Sequence, residues 1–244
     1  MLDLRPEDII HKSYLNRLLI ELIDQLVLSQ NLALKGGTCA GMLGYLDRFS
    51  IDLDFDLRNN FSEVIIRREL HQIFNYLDLT IAEELNYILM FRLRYPNAPG
   101  KRNNIKVSVN SQTVKANQYK VLYLAEIDRM MTCQTIETMF ANKLVAITDR
   151  YNLYKTVAGR DIYDIHHFFV QGYSYNVHVI EERTSLDHKE YFKKLYEFIS
   201  KHVTQTTINE DLNTLLPNKQ FQHIRKVLIP ETLALIDRET QSRE

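Results

Sequence analysis

The sequence predicts an α/β (α+β) fold in which helices flank a sheet and the C-terminal half is helical. Two observations support this fold class. Short segments between residues 50 and 124 alternate apolar with polar residues and are separated by turn-forming residues, as expected of strands. From Tyr173 onward, apolar residues instead recur at helical spacing, as at Tyr191, Leu195 and Phe198. We therefore expect an α/β module over residues 1–125 and a helical region over residues 126–244.

Composition and charge exclude several classes of protein. The 244 residues carry a formal net charge of −1, which argues against a protein that coats nucleic acid with its whole surface. No apolar run approaches the ~18 residues of a membrane span, and the N-terminal segment is too polar for a signal peptide. Cys39 and Cys133 match no metal or redox spacing and are expected in the core. These features predict a soluble, cytoplasmic protein.

Helical periodicity and turn residues place the elements along the chain. Apolar residues near the 3.6-residue period predict one long amphipathic helix over residues 6–29 and another helix over residues 61–77. Strands are expected at residues 80–84, 87–95, 105–110 and 121–124. In the C-terminal half, Pro217 and Pro230 are expected to interrupt the helices.

A glycine turn follows a short apolar segment at residues 32–34, which is expected to form a buried strand. Gly36 and Gly37 allow backbone N–H groups to converge on an anion, and the start of a helix adds further unpaired donors. Thr38 stands at the expected helix start, where its hydroxyl either caps the helix or contacts a phosphate oxygen. The segment is therefore a candidate phosphate-binding turn.

Strict alternation over residues 50–57 predicts a second strand about a dozen residues later. Asp52, Asp54 and Asp56 then share one face, and the apolar residues between them enter the core from the other. Carboxylates two positions apart form a hard-oxygen site of the kind that binds Mg²⁺ together with phosphates. A solvated sheet face without metal is the alternative, although like charges along one strand face repel each other.

These residues resemble the opening motif of the AbiEii/AbiGii-type toxin nucleotidyltransferases of the polymerase-β-like superfamily, which includes the MenT toxins. Two later segments, residues 143–150 and 160–164, resemble further motifs of the family, and the blocks together cover most of residues 30–170. The residues of the opening motif are Gly36, Gly37, Thr38, Arg48, Ser50, Asp52 and Asp54. The resemblance implies a nucleotidyltransferase-type mixed sheet whose active-site cleft is completed by the helical region.

The resemblance also implies a reaction, in which an NMP is moved from an NTP to an acceptor hydroxyl. Asp52 and Asp54 would be catalytic Mg²⁺ ligands, and Lys143 and Asp161 the further catalytic residues. Lys143 would also contact the nucleotide, together with the opening-motif residues Gly36, Gly37, Thr38, Arg48 and Ser50. The acceptor would be RNA such as tRNA, with a protein side chain as an alternative. A cognate antitoxin and a phage-defence role are implied as well, but no membrane partner.

One tract of the sequence favours a polyanionic partner. No Asp or Glu occurs from Leu85 to Ala125, where about five would be expected from the 31 in the whole chain. The same tract holds the basic residues Arg92, Arg94, Lys101, Arg102, Lys106, Lys115 and Lys120. RNA or a triphosphate across the carboxylate site would explain this bias, and a chance run of solvated strand edges is the alternative.

The same tract contains a departure from the superfamily pattern. Related enzymes usually carry a third carboxylate on a later strand, and the matching position here is Ser108, which is a poor base at neutral pH. Either the third acid is dispensable, or Asp56 or a later aspartate replaces it, or the protein binds nucleotide without turnover. A catalytically silent nucleotide-binding regulator and a non-enzymatic interaction protein are therefore the alternatives to an enzyme.

Overall fold

The computed structural model describes residues 6–241, which divide into two compact units. The sheet unit comprises residues up to 113 together with residues 118–135, and the helical unit comprises residues 114–117 together with those from 136 onward. The sequence places this boundary after residue 125. The units divide later because residues 129–134 form a strand that belongs to the sheet.

A mixed seven-stranded sheet forms the centre of the sheet unit, in the order β3-β4-β5-β2-β1-β7-β6. Parallel pairing joins β1 to β7 and β2 to β5, and the other neighbours are antiparallel. This arrangement confirms the predicted fold class. The strands are β1 Leu32–Lys35, β2 Asp52–Leu57, β3 Thr80–Leu85, β4 Leu89–Arg94, β5 Asn104–Asn110, β6 Tyr119–Leu124 and β7 Arg129–Gln134.

Apolar residues of the central strands form the core of the sheet unit. Leu53, Phe55 and Leu57 are buried, which confirms the face predicted from the alternation in β2. Three helices pack against the sheet: α1 Pro6–Asp24, α2 Leu26–Asn31 and α4 Glu63–Tyr76. The short helix α3 Gly36–Met42 follows β1. Burial of each large apolar side chain contributes about 1.5–3 kcal/mol, so this face holds the sheet and the helices together.

Two elements of the sheet unit differ from the prediction. The single helix predicted over residues 6–29 is divided at Gln25, whose backbone is extended and whose side chain donates a hydrogen bond to Glu69. Strand β7 was not predicted at all. No glycine or proline marks the turn before it, which instead places Asp128 at a positive φ of 53°. Its pairing with β1 and β6 is a long-range interaction that a local pattern does not show.

The helical unit contains helices that run from residue 136 to residue 241, and one of them overturns a prediction. Its helices are α5 Ile136–Tyr154, α6 Gly159–Val170, α7 Val177–Thr184, α8 His188–His202, α9 Gln205–Leu212 and α10 Asn218–Gln241. The interruption predicted at Pro230 is wrong, because this residue lies inside α10. A proline in a helix interior costs about 3 kcal/mol or more. Burial of Leu228 and Ile236 on either side offsets that cost.

The cysteines occupy the positions expected of core residues. Cys39 and Cys133 are both buried and neither forms a disulfide. The hydrogen bond with the neighbouring Cys133 thiol, together with burial, raises the pKa of Cys39 well above its ordinary value, so the thiol stays protonated and unreactive at neutral pH.

Candidate active site

The turn between β1 and α3 approaches the aspartate strand so closely that only glycine fits there. Gly36 has a φ of +75°, in the left-handed region, and a Cβ atom on it would lie 2.9 Å from Oδ2 of Asp54. A Cβ atom on Gly37 would lie 2.8 Å from Oγ of Ser50 and 3.1 Å from the guanidinium of Arg48. The two glycines therefore allow the opening-motif residues to come together.

Two side chains hold the backbone at the start of β2. The Thr38 hydroxyl donates a hydrogen bond to the carbonyl oxygen of Asp52, and Nε2 of His11 lies 2.9 Å from the carbonyl oxygen of Ile51. Both side chains are buried. Thr38 thus anchors α3 to the strand that carries the carboxylates, whereas its contact with a phosphate oxygen remains a prediction.

His11 makes the stability of this segment depend on pH. Burial lowers its pKa from 6.5 to about 4, and the nearby Arg102 charge acts in the same direction. The folded chain therefore holds His11 neutral, while the unfolded chain binds a proton below about pH 6.5. We expect this difference in pKa to contribute about 3 kcal/mol to the free energy of unfolding above pH 6.5. The contribution is lost as the pH falls to 4.

Urea denaturation between pH 7.5 and pH 4 measures this effect, with His11→Gln as the matched variant because its amide can still donate to Ile51. The variant should lose stability less steeply than the wild type as the pH falls. Equal slopes of stability against pH for the two proteins would show that folding does not lower the pKa of His11.

Asp52 and Asp54 lie side by side on one face of β2 and are partly exposed. Ser108 of β5 pairs with Asp54 in the sheet, and its hydroxyl donates a 2.5 Å hydrogen bond to Oδ1 of that carboxylate. The predicted position of Ser108 beside the carboxylates is therefore confirmed. Within residues 6–241, Oδ2 of Asp54 accepts no hydrogen bond and lies against Gly36. One oxygen of Asp54 is thus oriented by Ser108, and the other remains available for a ligand.

Asp56 plays a different part from the other two aspartates. It is fully buried, and its Oδ1 pairs with Nζ of Lys35 at 2.5 Å. Its Oδ2 accepts hydrogen bonds from Tyr119 at 2.9 Å and from Gln134 at 2.6 Å. Because both oxygens are engaged, the proposal that Asp56 replaces the third acid is not supported. Asp56 instead joins β2 to β1, β6 and β7.

The sequence did not identify these partners of Asp56. Lys35 lies directly before the glycine turn and opposite Asp54 in the pairing of β1 with β2, so its ion pair with Asp56 is diagonal. Tyr119 and Gln134 are 63 and 78 residues away from Asp56 in the chain, so only the strand order reveals them.

A second cluster of predicted residues lies in the helical unit. Nζ of Lys143 on α5 is 3.0 Å from Oδ1 of Asp161 and 2.9 Å from Oδ2 of Asp164, both on α6. Nε of Arg150 is 3.1 Å from Oδ2 of Asp161. This geometry confirms that Lys143 and Arg150, two helical turns apart, project to the same side of α5. Asp161 is therefore held by two cations.

Charge and burial act in opposite directions on Asp161. Burial alone would raise its pKa, but the positive charges of Lys143 and Arg150 outweigh burial and hold the pKa well below its usual range. Asp161 is consequently ionised at neutral pH and acts as a partner for Lys143. Its predicted catalytic role would then be to fix the position of that lysine.

The structure brings the predicted residues together in two groups. Within the sheet unit it assembles the turn and the carboxylate strand, and within the helical unit it pairs the lysine with its aspartates. The first group is Gly36, Gly37, Thr38, Arg48, Ser50, Asp52 and Asp54, and the second is Lys143, Arg150, Asp161 and Asp164. In the described part of the chain, no three His, Cys, Asp or Glu residues are arranged to hold a metal ion.

Three solved structures that share this fold come from Helicobacter pylori and Mycobacterium tuberculosis. JHP933 from Helicobacter pylori is 19% identical, with 98% of this chain and 94% of that chain covered and a TM-score of 0.59. A putative nucleotidyltransferase from H. pylori is 19% identical, with 98% of this chain and 96% of that chain covered and a TM-score of 0.61. The nucleotidyltransferase toxin MenT4 from Mycobacterium tuberculosis is 15% identical, with 97% of this chain and 88% of that chain covered and a TM-score of 0.56. At these identities the likeness shows the shared fold.

The family is shown by a match over nearly the whole chain. No curated protein matches the sequence significantly. Residues 17–238, however, match the family described as the nucleotidyl transferase AbiEii toxin of a type IV toxin–antitoxin system. This range includes both groups of site residues and agrees with the motifs in the sequence. The chain therefore belongs to the AbiEii toxin family and is a nucleotidyltransferase.

Proposed function

We propose that this nucleotidyltransferase moves an NMP from an NTP to a hydroxyl group of an RNA, with tRNA as the foremost candidate, in a Mg²⁺-dependent reaction. The observation that carries the proposal is the pair of carboxylates on β2 beside the glycine turn. Asp54 presents one oxygen to this turn and has its other oxygen oriented by Ser108. Family membership supports the class of reaction, and the pair of carboxylates supports the metal.

The carboxylate pair fits Mg²⁺ better than a metal that requires a complete protein cage. Mg²⁺ is usually held by one or two carboxylates and completes its shell with substrate phosphates and water. Asp52 and Asp54 supply that number of carboxylates, and the residues described here offer no third ligand of the kind that zinc sites require. When bound, Mg²⁺ would neutralise charge on the phosphates of the NTP.

The residues of the chain have separate roles in the proposed reaction. The glycine turn, with Arg48 and Ser50 behind it, receives the phosphates of the NTP. Lys143 remains the nucleotide-contacting lysine that the family resemblance implies. The acceptor oxygen forms a bond to the α-phosphorus of the NTP. At the same time, the bond breaks between the α-phosphorus and the oxygen that bridges it to the β-phosphorus. Pyrophosphate leaves with that oxygen, and the hydroxyl proton passes to solvent. Ser108 orients Asp54 and need not act as a base.

A cognate antitoxin, a place in phage defence and a cytoplasmic location also belong to this proposal. The family is described as part of a type IV toxin–antitoxin system, which supports an antitoxin partner in general terms. Among the described helices, none has the length and apolar character to cross a membrane. An NTP and an RNA acceptor would both be available in the cytoplasm.

The experiment that tests the proposed function measures transfer of label from NTP to RNA. The purified protein is incubated with Mg²⁺, total tRNA and each NTP in turn, radiolabelled at the α-phosphate. We expect label on RNA from at least one NTP with the wild type and none with Asp52→Asn. Label on protein alone would overturn the RNA acceptor. No label anywhere, together with Mg²⁺-dependent NTP binding in a thermal-shift assay, would indicate a silent nucleotide-binding regulator.

A further inference from the structure

The structure distributes the basic residues of the acid-free tract over distinct surfaces. Arg102 forms an ion pair with Asp8 at 3.7 Å and lies over the ring of Phe49, so its guanidinium is paired within the sheet unit. Lys120 pairs with Cys133 across β6 and β7 and therefore lies on the sheet face opposite the carboxylates. Lys115 belongs to the helical unit. Lys120 is therefore separated from the carboxylate site by the sheet, and the charge of Arg102 is already paired.

Three other basic residues do share a face with the carboxylates. Lys106 of β5 pairs directly with Asp52 of β2, and Arg92 of β4 pairs with Lys106. Paired residues of neighbouring strands project to the same face of a sheet. Arg94 lies two residues beyond Arg92 on β4 and so projects to that face too. We name Arg92, Arg94 and Lys106 the basic face.

The charges of the basic face are exposed and largely uncommitted. All three side chains are exposed to solvent. Among residues 6–241, neither Arg94 nor Lys106 forms an ion pair, and Arg92 forms one with Glu83, itself exposed. Exposed pairs of this kind are weak and can be exchanged for another anion. Three cations are thus presented on one surface beside Asp52.

We propose that the basic face binds the phosphate backbone of the acceptor RNA next to its reacting hydroxyl. This inference rests on the proposed function, because it takes RNA as the acceptor. Neighbouring strands lie about 4.8 Å apart, so Arg92 on β4 is about 10 Å from Asp52 on β2, and Lys106 lies between them. The basic face therefore leads away from the carboxylates across two strands, which suits an extended polyanion.

The position of the basic face distinguishes RNA from the triphosphate of the NTP. The glycine turn follows β1, on one side of β2, whereas the basic face lies on β5 and β4, on the other side. A single triphosphate held at the turn does not extend over both. Arginine forks bind phosphate oxygens in pairs, and the phosphates of an extended strand carry no sequence information. The contact is therefore to the RNA backbone and independent of sequence.

Direct RNA binding tests the inference without requiring transfer. The variant Arg92→Gln/Arg94→Gln/Lys106→Gln is compared with the wild type by fluorescence anisotropy, using a 5′-labelled RNA hairpin with a single-stranded 3′ end. The matched control is Lys189→Gln/Lys193→Gln/Lys201→Gln on α8, because it removes the same charge from equally exposed positions. NTP binding, followed by thermal shift with Mg²⁺, reports whether each variant keeps an intact nucleotide site.

We expect the basic-face variant to bind the RNA on the order of tenfold more weakly at moderate salt. The slope of log K against log salt should fall in magnitude by about 2, because each lost phosphate contact contributes about 0.7. The control should match the wild type, and all three proteins should bind NTP alike. Transfer, where it occurs, should show a raised KM for RNA with kcat little changed.

Three outcomes are decisive. Equal RNA affinity and salt slope in the variant and the wild type would overturn the inference, even if transfer to RNA is observed. Equal losses in the variant and the control would overturn it too, because the effect would then be one of net charge. If the variant alone loses RNA binding while no protein transfers label, the inference stands and the proposed reaction fails.

Discussion

Replacing Asp54 by asparagine should reduce nucleotide transfer by at least about a thousandfold while leaving the protein folded. Oδ2 of this residue lies against the glycine turn and has no partner in the described chain, so its negative charge is available to a metal ion. An amide of the same shape keeps the bond to Ser108 but lacks that charge. Transfer of label from NTP and the midpoint of thermal unfolding measure the two effects.

Ser108→Ala is the matched variant for this prediction. It leaves the carboxylate of Asp54 charged but removes the hydroxyl that orients it. Loss of such an orienting partner typically lowers metal affinity or activity about 10–100-fold. We therefore expect a smaller loss of transfer than in Asp54→Asn. If Asp54→Asn retains wild-type transfer, the assignment of the metal site to β2 is wrong.

Replacing Lys143 by methionine should destabilise the helical unit as well as impair transfer. The ammonium group pairs with Asp161 and Asp164, whose side chains are only 3% and 0% exposed. Without it, Asp164 loses a cation, and Asp161 keeps the ion pair with Arg150, whose side chain is 34% exposed. Removing one partner of a buried ion pair costs about 3–5 kcal/mol. Thermal unfolding should report a midpoint on the order of 10 °C lower.

The pH dependence separates this ion pair from simple packing. The folded-state pKa of Asp161 lies below its unfolded value, so the ion pair contributes stability above the unfolded pKa of 3.8 and loses it as the pH falls through the folded value. The deficit of Lys143→Met should accordingly be largest at neutral pH and shrink in acid. Lys143→Arg, which keeps the charge, should lose less stability. A deficit that is constant with pH would point to lost packing instead.

Local pattern was sufficient for the elements that surround the carboxylates. Alternation at residues 50–57 predicted both the strand and its buried face, because side chains of a strand project to opposite sides in turn. The glycine pair was predicted as a turn whose backbone N–H groups converge on an anion, and its first residue, Gly36, adopts the positive φ that glycine allows. The helix broken at Gln25 and the intact helix around Pro230 were not predicted, since packing against distant residues decides both.

The sequence by itself determined the chemistry that this chain carries: a glycine turn, paired carboxylates, and a lysine and an aspartate spaced along two helices. These are local features, and their family resemblance is confirmed by the match over residues 17–238. Only the tertiary structure decided how each charge is used. Strand order joins buried Asp56 to Lys35, Tyr119 and Gln134, and places Lys106 beside Asp52. Such contacts join residues far apart in the chain, and a buried charge requires them because it is costly to leave unpaired.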